Sequence, residues 1–439
     1  MGKSFPQPHM LHGSKSLVRR NSRKVSSPVY DQYQERTINL PSHGTTIASL
    51  ARQRRQWETL LRSIPRTQSL ARDFDPAFDH LTEVTRFGSN PGALRMFEYV
   101  PADPQPALVV VLHGCTQTAA SYDFGAGWST LADRHGFVLL LPEQQRANNA
   151  KNCFNWFRAG DIERGRGEAM SIRNMVEKMI VNHAIDRRRV FVTGLSAGGA
   201  MTSVMLATYP DAFAAGAIIA GLPYGTATNV NEAFGSMGQV RARSAREWGD
   251  LARAASPHKG PWPRVSVWHG GADPVVKPEN ADEIIKQWTD VHGLDLAPTS
   301  TERVDGYPRQ VWRNPAGKSV IESYTIPAMS HGTPLATGPS DEHVGVPGDF
   351  LLDVGISSSY HIAKFWGLTG HPRAVPTRRS ESASTVPAPP RQDRATAETS
   401  GAAGDPVSDA PKPTGPRTRL IDVQAVITHA LKAAGLIKP

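Results

Sequence analysis

The chain has 439 residues, of which 39% are hydrophobic and 20% charged, with 9 Trp, 14 Phe and 9 Tyr. That is enough apolar material for a sizeable core, and it excludes wholesale disorder, collagen and coiled coil. The net charge of +9 resides in the flanks: residues 1–80 carry 13 basic against 6 acidic residues and 371–439 carry 10 against 6, which leaves 26 against 28 in 81–370. No nucleic-acid recognition motif accompanies this charge, so a solvated flank is expected rather than a nucleic-acid partner.

Residues 1–75 read as a polar basic leader, largely disordered, with one short helix over 51–62 where Trp57, Leu60 and Leu61 share a face. The N-terminus lacks the apolar stretch of about 7 to 15 residues that a secretory signal needs, so a cytoplasmic chain is expected. Apolar runs such as 107–111 and 137–141 fall far short of the roughly 20 residues that span a bilayer, and no transmembrane segment is expected. Two cysteines, Cys115 and Cys153, are too few for a disulfide scaffold or a thiolate zinc site.

From about Leu94 the pattern changes to short apolar segments alternating with helical ones: RMFEYV, ALVVVLHG, GFVLLLP, a helix over 168–184, RVFVTG, a second helix, AFAAGAIIAG and RVSVWHG. Near-continuous apolar strands need both faces covered, so 76–370 reads as one α/β domain with a mostly parallel sheet and helices on both faces. The helix over 168–184 rests on Ile172, Met175, Val176, Met179, Ile180 and His183 at three- and four-residue steps.

The most informative stretch is RVFVTGLSAGGAM at 189–201. Gly194-Leu195-Ser196-Ala197-Gly198 is G-x-S-x-G between a strand and a helix, the context of a nucleophile elbow. The serine must stand on a sharp strained turn, so residues two to either side must be small. Upstream, the strand ending in His113-Gly114-Cys115 is followed by the loop that supplies one oxyanion N–H in such folds. Cys115 and Ala197 are therefore the expected oxyanion donors, while His113 is expected to be a structural histidine hydrogen-bonded to its loop.

Downstream, Asp273 follows the strand RVSVWHG and His331 follows SVIESYTIP. The order Ser196, Asp273, His331, each past a strand's C-terminal end, matches the nucleophile, acid and base order of an α/β-hydrolase. His269 is the competing base. Trp156 and Trp128 are candidates for the walls of an acyl pocket, with burial in the core as the alternative for both. Cys115 and Cys153 follow strands read as neighbours, which predicts Cα atoms within about 7 Å and leaves a disulfide open.

After His371 the chain contains no aromatic residue and is rich in Pro, Ser and Ala, a linker over 371–418 that cannot build a core. Helical spacing returns over 419–437 through Leu420, Val423, Ile427, Leu431 and Ala434, an amphipathic C-terminal helix.

Taken together, HGCTQ, CFNWF, GEAMSI, GLSAGGAM, WHGGADPVV, SHG and LLDVGISSSYHIAKFWGL resemble the poly(3-hydroxybutyrate) depolymerase family of esterases in its short catalytic form, over roughly residues 85–370. The resemblance implies an α/β-hydrolase fold and hydrolysis of carboxylic esters of the hydroxyalkanoate type by a Ser-His-Asp triad, with no metal or organic cofactor. It also implies a largely extracellular family, many of whose secreted members carry a signal peptide and a separate polymer-binding domain, neither of which is apparent in this sequence. The alternatives are a feruloyl or acetyl-carbohydrate esterase and, outside enzymes, a polymer-granule binding protein.

Overall fold

A computed structural model describes residues 80–370. The helices expected over 51–62 and 419–437, the leader and the linker lie outside the described residues. Ten strands form one sheet: β1 (Thr82–Glu83), β2 (Arg95–Tyr99), β3 (Leu108–Leu112), β4 (Val138–Glu143), β5 (Val190–Leu195), β6 (Ala215–Ile219), β7 (Arg264–Gly270), β8 (Ser300–Val304), β9 (Tyr307–Arg313) and β10 (Ser319–Ile326), in the order β1-β2-β4-β3-β5-β6-β7-β10-β9-β8. The six central strands, β4 to β10 in that order, are parallel. Antiparallel pairs extend both edges.

The period-two alternation of a strand divides the core into two layers. Leu108, Val110 and Leu112 of β3 face Ile172, Met175 and Met179 of α3 (Gly167–His183), Met201 and Met205 of α4 (Ala197–Thr208) and Trp288 of α7 (Glu279–His292). Val109 and Val111 face the opposite layer, built from α1 (Ala119–Ala126), α2 (Trp128–His135) and α8 (Ser358–Trp366). Two further helices, α5 (Val230–Gly238) and α6 (Ala245–Ala254), lie in the connection from β6 to β7. The helix expected over 168–184 is α3, displaced by one residue at each end, with Ala184 as its left-handed cap.

β3 is where the strand order reverses, because its two neighbours are β4 and β5. In an open parallel sheet such a reversal leaves a crevice beyond the carboxyl ends of the strands, where successive connections diverge to opposite faces. The loops after β3 and β5 flank that crevice. Thr118 ends the first of them sharply: its hydroxyl accepts from Ser121 N–H at 3.1 Å and caps α1.

Among the described residues no helix is long and apolar enough to cross a membrane.

Candidate active site

Ser196 sits at the turn from β5 to α4 with φ 57° and ψ −112°, a backbone conformation that a side-chain-bearing residue adopts only where its surroundings enforce it. Two glycines make the turn sterically feasible. A Cβ on Gly194 would come within 2.5 Å of the Gly198 backbone, and one on Gly198 within 2.2 Å of the Leu112 carbonyl oxygen, so helix and strands approach closely only because both are glycine.

Backbone hydrogen bonds carry the geometry from this elbow across the strand ends. Ser196 N–H donates to Ile219 O at 2.9 Å, Ala220 N–H to Trp268 O at 2.8 Å, Gly271 N–H to Ile326 O at 2.8 Å and Ala272 N–H to Met329 O at 3.0 Å. The ends of β5, β6, β7 and β10 are thereby locked together, with the loops bearing Asp273 and His331 on the same edge as the serine.

Asp273 and His331 meet directly, His331 Nδ1 standing 2.7 Å from Asp273 Oδ2. The other carboxylate oxygen, Oδ1, accepts the Val275 and Val276 N–H groups at 2.8 and 2.9 Å. Burial alone pushes this carboxyl up, but the positive imidazole of His331 and the hydrogen bonds from His269 and His331 outweigh it and hold the group well below the usual carboxylate range. Asp273 is therefore ionised at neutral pH and fixes the His331 tautomer, with a proton on Nδ1 and a lone pair on Nε2. Among the described residues no hydrogen bond joins Ser196 Oγ to His331, a contact that commonly tightens only when substrate binds.

The competing base, His269, is occupied elsewhere. Its Nε2 lies 2.9 Å from Val276 O, an acceptor only, so that nitrogen carries the proton, and the ring is only 2% exposed. His113 is a structural histidine, as expected. Its Nδ1 donates to Gly114 O at 2.8 Å and its Nε2 accepts Gln144 N–H at 3.1 Å. Burial brings it down to about 4, so it is neutral.

On the other side of Ser196, the loop after β3 has most of its amides committed. Gly114 N–H donates to Gln117 Oε1 at 2.8 Å and Thr116 N–H to Lys151 O at 2.7 Å. Thr116 itself is left-handed at φ 67°, a costly conformation for a β-branched residue. Between these two lies Cys115, whose side chain forms a disulfide with Cys153, Cα atoms 4.3 Å apart. This agrees with the proximity expected from neighbouring strands, since β3 and β4 are paired. Ala197 is the first residue of α4, where the N–H has no intrahelical acceptor.

A buried carboxylate that sequence reasoning did not single out underlies this loop. Glu168, 1% exposed in the first turn of α3, accepts Asn155 N–H at 2.8 Å, Asn155 Nδ2 at 2.6 Å and Gln144 Nε2 at 2.5 Å. Burial pushes it up to about 8, against the opposing pull of those donors. Gln144 also donates from Nε2 to Cys153 O at 3.2 Å. Thus CFNWF and GEAMSI meet in one hydrogen-bonded cluster, which HGCTQ, further upstream, joins where Gln144 N–H donates to His113 Nε2. Their convergence needs the β3–β4 pairing and has no short-range signature.

Of the two tryptophans, Trp128 belongs to the core. It is 0% exposed in α2 and stacked on Trp366 with centroids 5.9 Å apart, so its ring has no face to offer a substrate. Trp156 is 7% exposed and packs edge-on against Phe157 at 5.4 Å, next to the cysteine-bearing segment.

A mostly parallel sheet with reversal at β3 and a strained serine after β5 defines the chain as an α/β-hydrolase. The sequence profile described as "Esterase PHB depolymerase" matches residues 98–310. Poly(3-hydroxyalkanoate) depolymerase C of Paucimonas lemoignei is 49% identical over 294 residues, covering 66% of this chain and 70% of that protein. An acetylxylan esterase of Coprinopsis cinerea is 37% identical over 264 residues, covering 58% of this chain and 69% of that protein. The solved acetyl xylan esterase from Aspergillus awamori superposes with a TM-score of 0.55 at 28% identity, covering 66% of this chain and 99% of the other. The chain belongs to the PHB depolymerase family of esterases, and it is a carboxylic ester hydrolase.

Proposed function

We propose that the chain hydrolyses ester bonds of the 3-hydroxyalkanoate type, in oligomers or polyester, through Ser196, His331 and Asp273. In this mechanism Ser196 Oγ attacks the ester carbonyl as His331 Nε2 takes its proton. The negative oxygen of the tetrahedral intermediate accepts the N–H groups of Cys115 and Ala197. The protonated imidazole then gives its proton to the departing alcohol, and the acyl group stays on Ser196. Water, deprotonated by the same imidazole, attacks the acyl-enzyme, releases the carboxylic acid and restores the serine. Asp273 holds the ring in the needed tautomer and stabilises its cation throughout. Trp156 is the remaining candidate for a wall of the acyl site.

The observation that carries the site assignment is the 2.7 Å contact of His331 Nδ1 with a carboxylate itself clamped by two backbone N–H groups. What favours the hydroxyalkanoate substrate is the 49% identity to a depolymerase across two thirds of the chain. The reading of an acetyl or feruloyl ester on carbohydrate draws support from the acetyl xylan esterase that this fold covers almost end to end. Values of kcat/KM on hydroxybutyrate oligomers, acetylated xylan and feruloyl esters separate the two. Preference for oligomers is expected, and faster release of acetate from xylan would overturn the substrate assignment. All residues of the mechanism fall within 76–370, so a chain cut to that span is expected to hydrolyse a small soluble ester at near-normal kcat.

A further inference from the structure

His269 occupies the penultimate position of β7, four residues before Asp273, with its ring sealed in the protein. Its Nε2 faces two acceptors: Val276 O at 2.9 Å and Asp273 Oδ2 at 3.3 Å. Only the tautomer with the proton on Nε2 satisfies both, because the other would turn a lone pair towards a carbonyl and a carboxylate. The remaining nitrogen, Nδ1, is buried and has no hydrogen-bond partner. Leaving a buried polar atom unpaired costs stability, which an apolar side chain of similar size would avoid. A residue that served only to fill space would not carry that cost.

Asp273 Oδ2 therefore lies between two imidazoles, hydrogen-bonded to His331 at 2.7 Å and 3.3 Å from His269 Nε2, while Oδ1 takes the two backbone amides. We propose that His269 is a positioning residue for the esterase reaction: its ring, anchored by the Nε2–H bond to the Val276 carbonyl and set against Asp273 Oδ2, keeps the carboxylate turned towards His331. The inference rests on the reading of His331 as the base and Asp273 as its partner. Besides these two, Asp282 in α7 lies within electrostatic reach of the ring.

The role predicts a direction for the pH profile. Without the His269 N–H dipole beside it, the charge on Oδ2 is less stabilised by its surroundings and attracts the His331 cation more strongly, so the acid limb of the rate profile moves to higher pH. The carboxylate also gains freedom to tilt, which lowers kcat without touching substrate binding.

The experiment compares wild type, His269→Phe, which keeps a ring but no donor, and His269→Gln, whose amide N–H reaches the position of Nε2. Each is assayed on a soluble chromogenic ester, with rates divided by the number of sites titrated by a fluorophosphonate. His269→Phe is expected to lose about ten- to a hundredfold in kcat with KM nearly unchanged. The acid limb of its kcat/KM profile should move up by about half a unit to one unit. His269→Gln should recover most of both. Should His269→Phe not fold, His269→Asn replaces it, since its N–H falls at the Nδ1 position, and the same losses are required. A lowered melting temperature with wild-type kcat per site and an unmoved acid limb would overturn the proposal. Wild-type turnover by His331→Ala would instead overturn the reading on which it rests.

Discussion

The two sides of Ser196 are built by opposite means. On one side lie the N–H groups of Cys115 and Ala197, the proposed oxyanion donors, which no rotamer can displace; what must be held is the path of the main chain. A disulfide, a left-handed Thr116 and the buried Glu168 cluster hold it. On the other side lie side chains, Asp273 and His331, which backbone amides and a second imidazole hold in place. The difference follows from the work assigned to each. Charge that develops only in the transition state is best met by dipoles already in position. A proton acceptor must present one tautomer and then accommodate a cation, which requires an ionised partner at close range.

The largest effects are expected at the chemistry itself. Ser196→Ala and His331→Ala should each lower kcat by roughly 10⁴-fold or more, with little added loss in the double variant, because members of such a unit act together. Asp273→Asn should cost on the order of 10⁴ as well. Steady-state rates on one chromogenic ester read all four, and additive losses in the double variant would separate residues the mechanism joins.

On the oxyanion side the expected loss is smaller. Cys153→Ser cuts the tether of the loop bearing Cys115 but leaves the N–H in place, so kcat should fall by about ten- to a hundredfold, within the cost of deleting one oxyanion donor. Affinity for a tetrahedral transition-state analogue should fall by a similar factor while KM stays constant. An unchanged kcat would show that the hydrogen bonds around Glu168 suffice without the disulfide.

The smallest effect concerns stability. The folded Glu168 titrates at about 8, above its unfolded value near 4.5, so the folded chain holds an extra proton between these limits and stability is lost as pH rises through that window. His113, brought down to about 4 from 6.5, acts with the opposite sign, but only below its unfolded value. Between pH 6.5 and 8 the Glu168 contribution is thus free of His113. The wild-type melting temperature should fall there, and Glu168→Gln, which cannot titrate, should flatten the slope. A parallel slope in both proteins would mean that the cluster is ionised throughout.

The features legible in the sequence were those that local sterics dictate. G-x-S-x-G required small residues around a strained serine, and Gly194 and Gly198 meet neighbouring backbone at distances no Cβ tolerates. Strand-end placement of Asp273 and His331 followed from the runs RVSVWHG and SVIESYTI, which the structure buries over most of their length as β7 and β10. Other features had no periodic signal. All twelve residues of α4 are buried, so no polar face marks it, and Trp128 and Trp156 are separated by which core layer each joins, a long-range outcome. The hairpin of β8 and β9 is half exposed and polar in composition, which hid two strands of the sheet. The Glu168 cluster joins loop residues with no periodic spacing, and only the pairing of β3 with β4 brings His113 and Cys115 to it.

The most direct test of the central assignment is peptide mapping by mass spectrometry after brief exposure to a fluorophosphonate, in wild type and His331→Ala. The adduct is expected on Ser196 in the wild-type chain and, over the same interval, on no residue of His331→Ala. Labelling at another serine, or undiminished labelling of Ser196 without His331, would contradict a serine activated by that histidine.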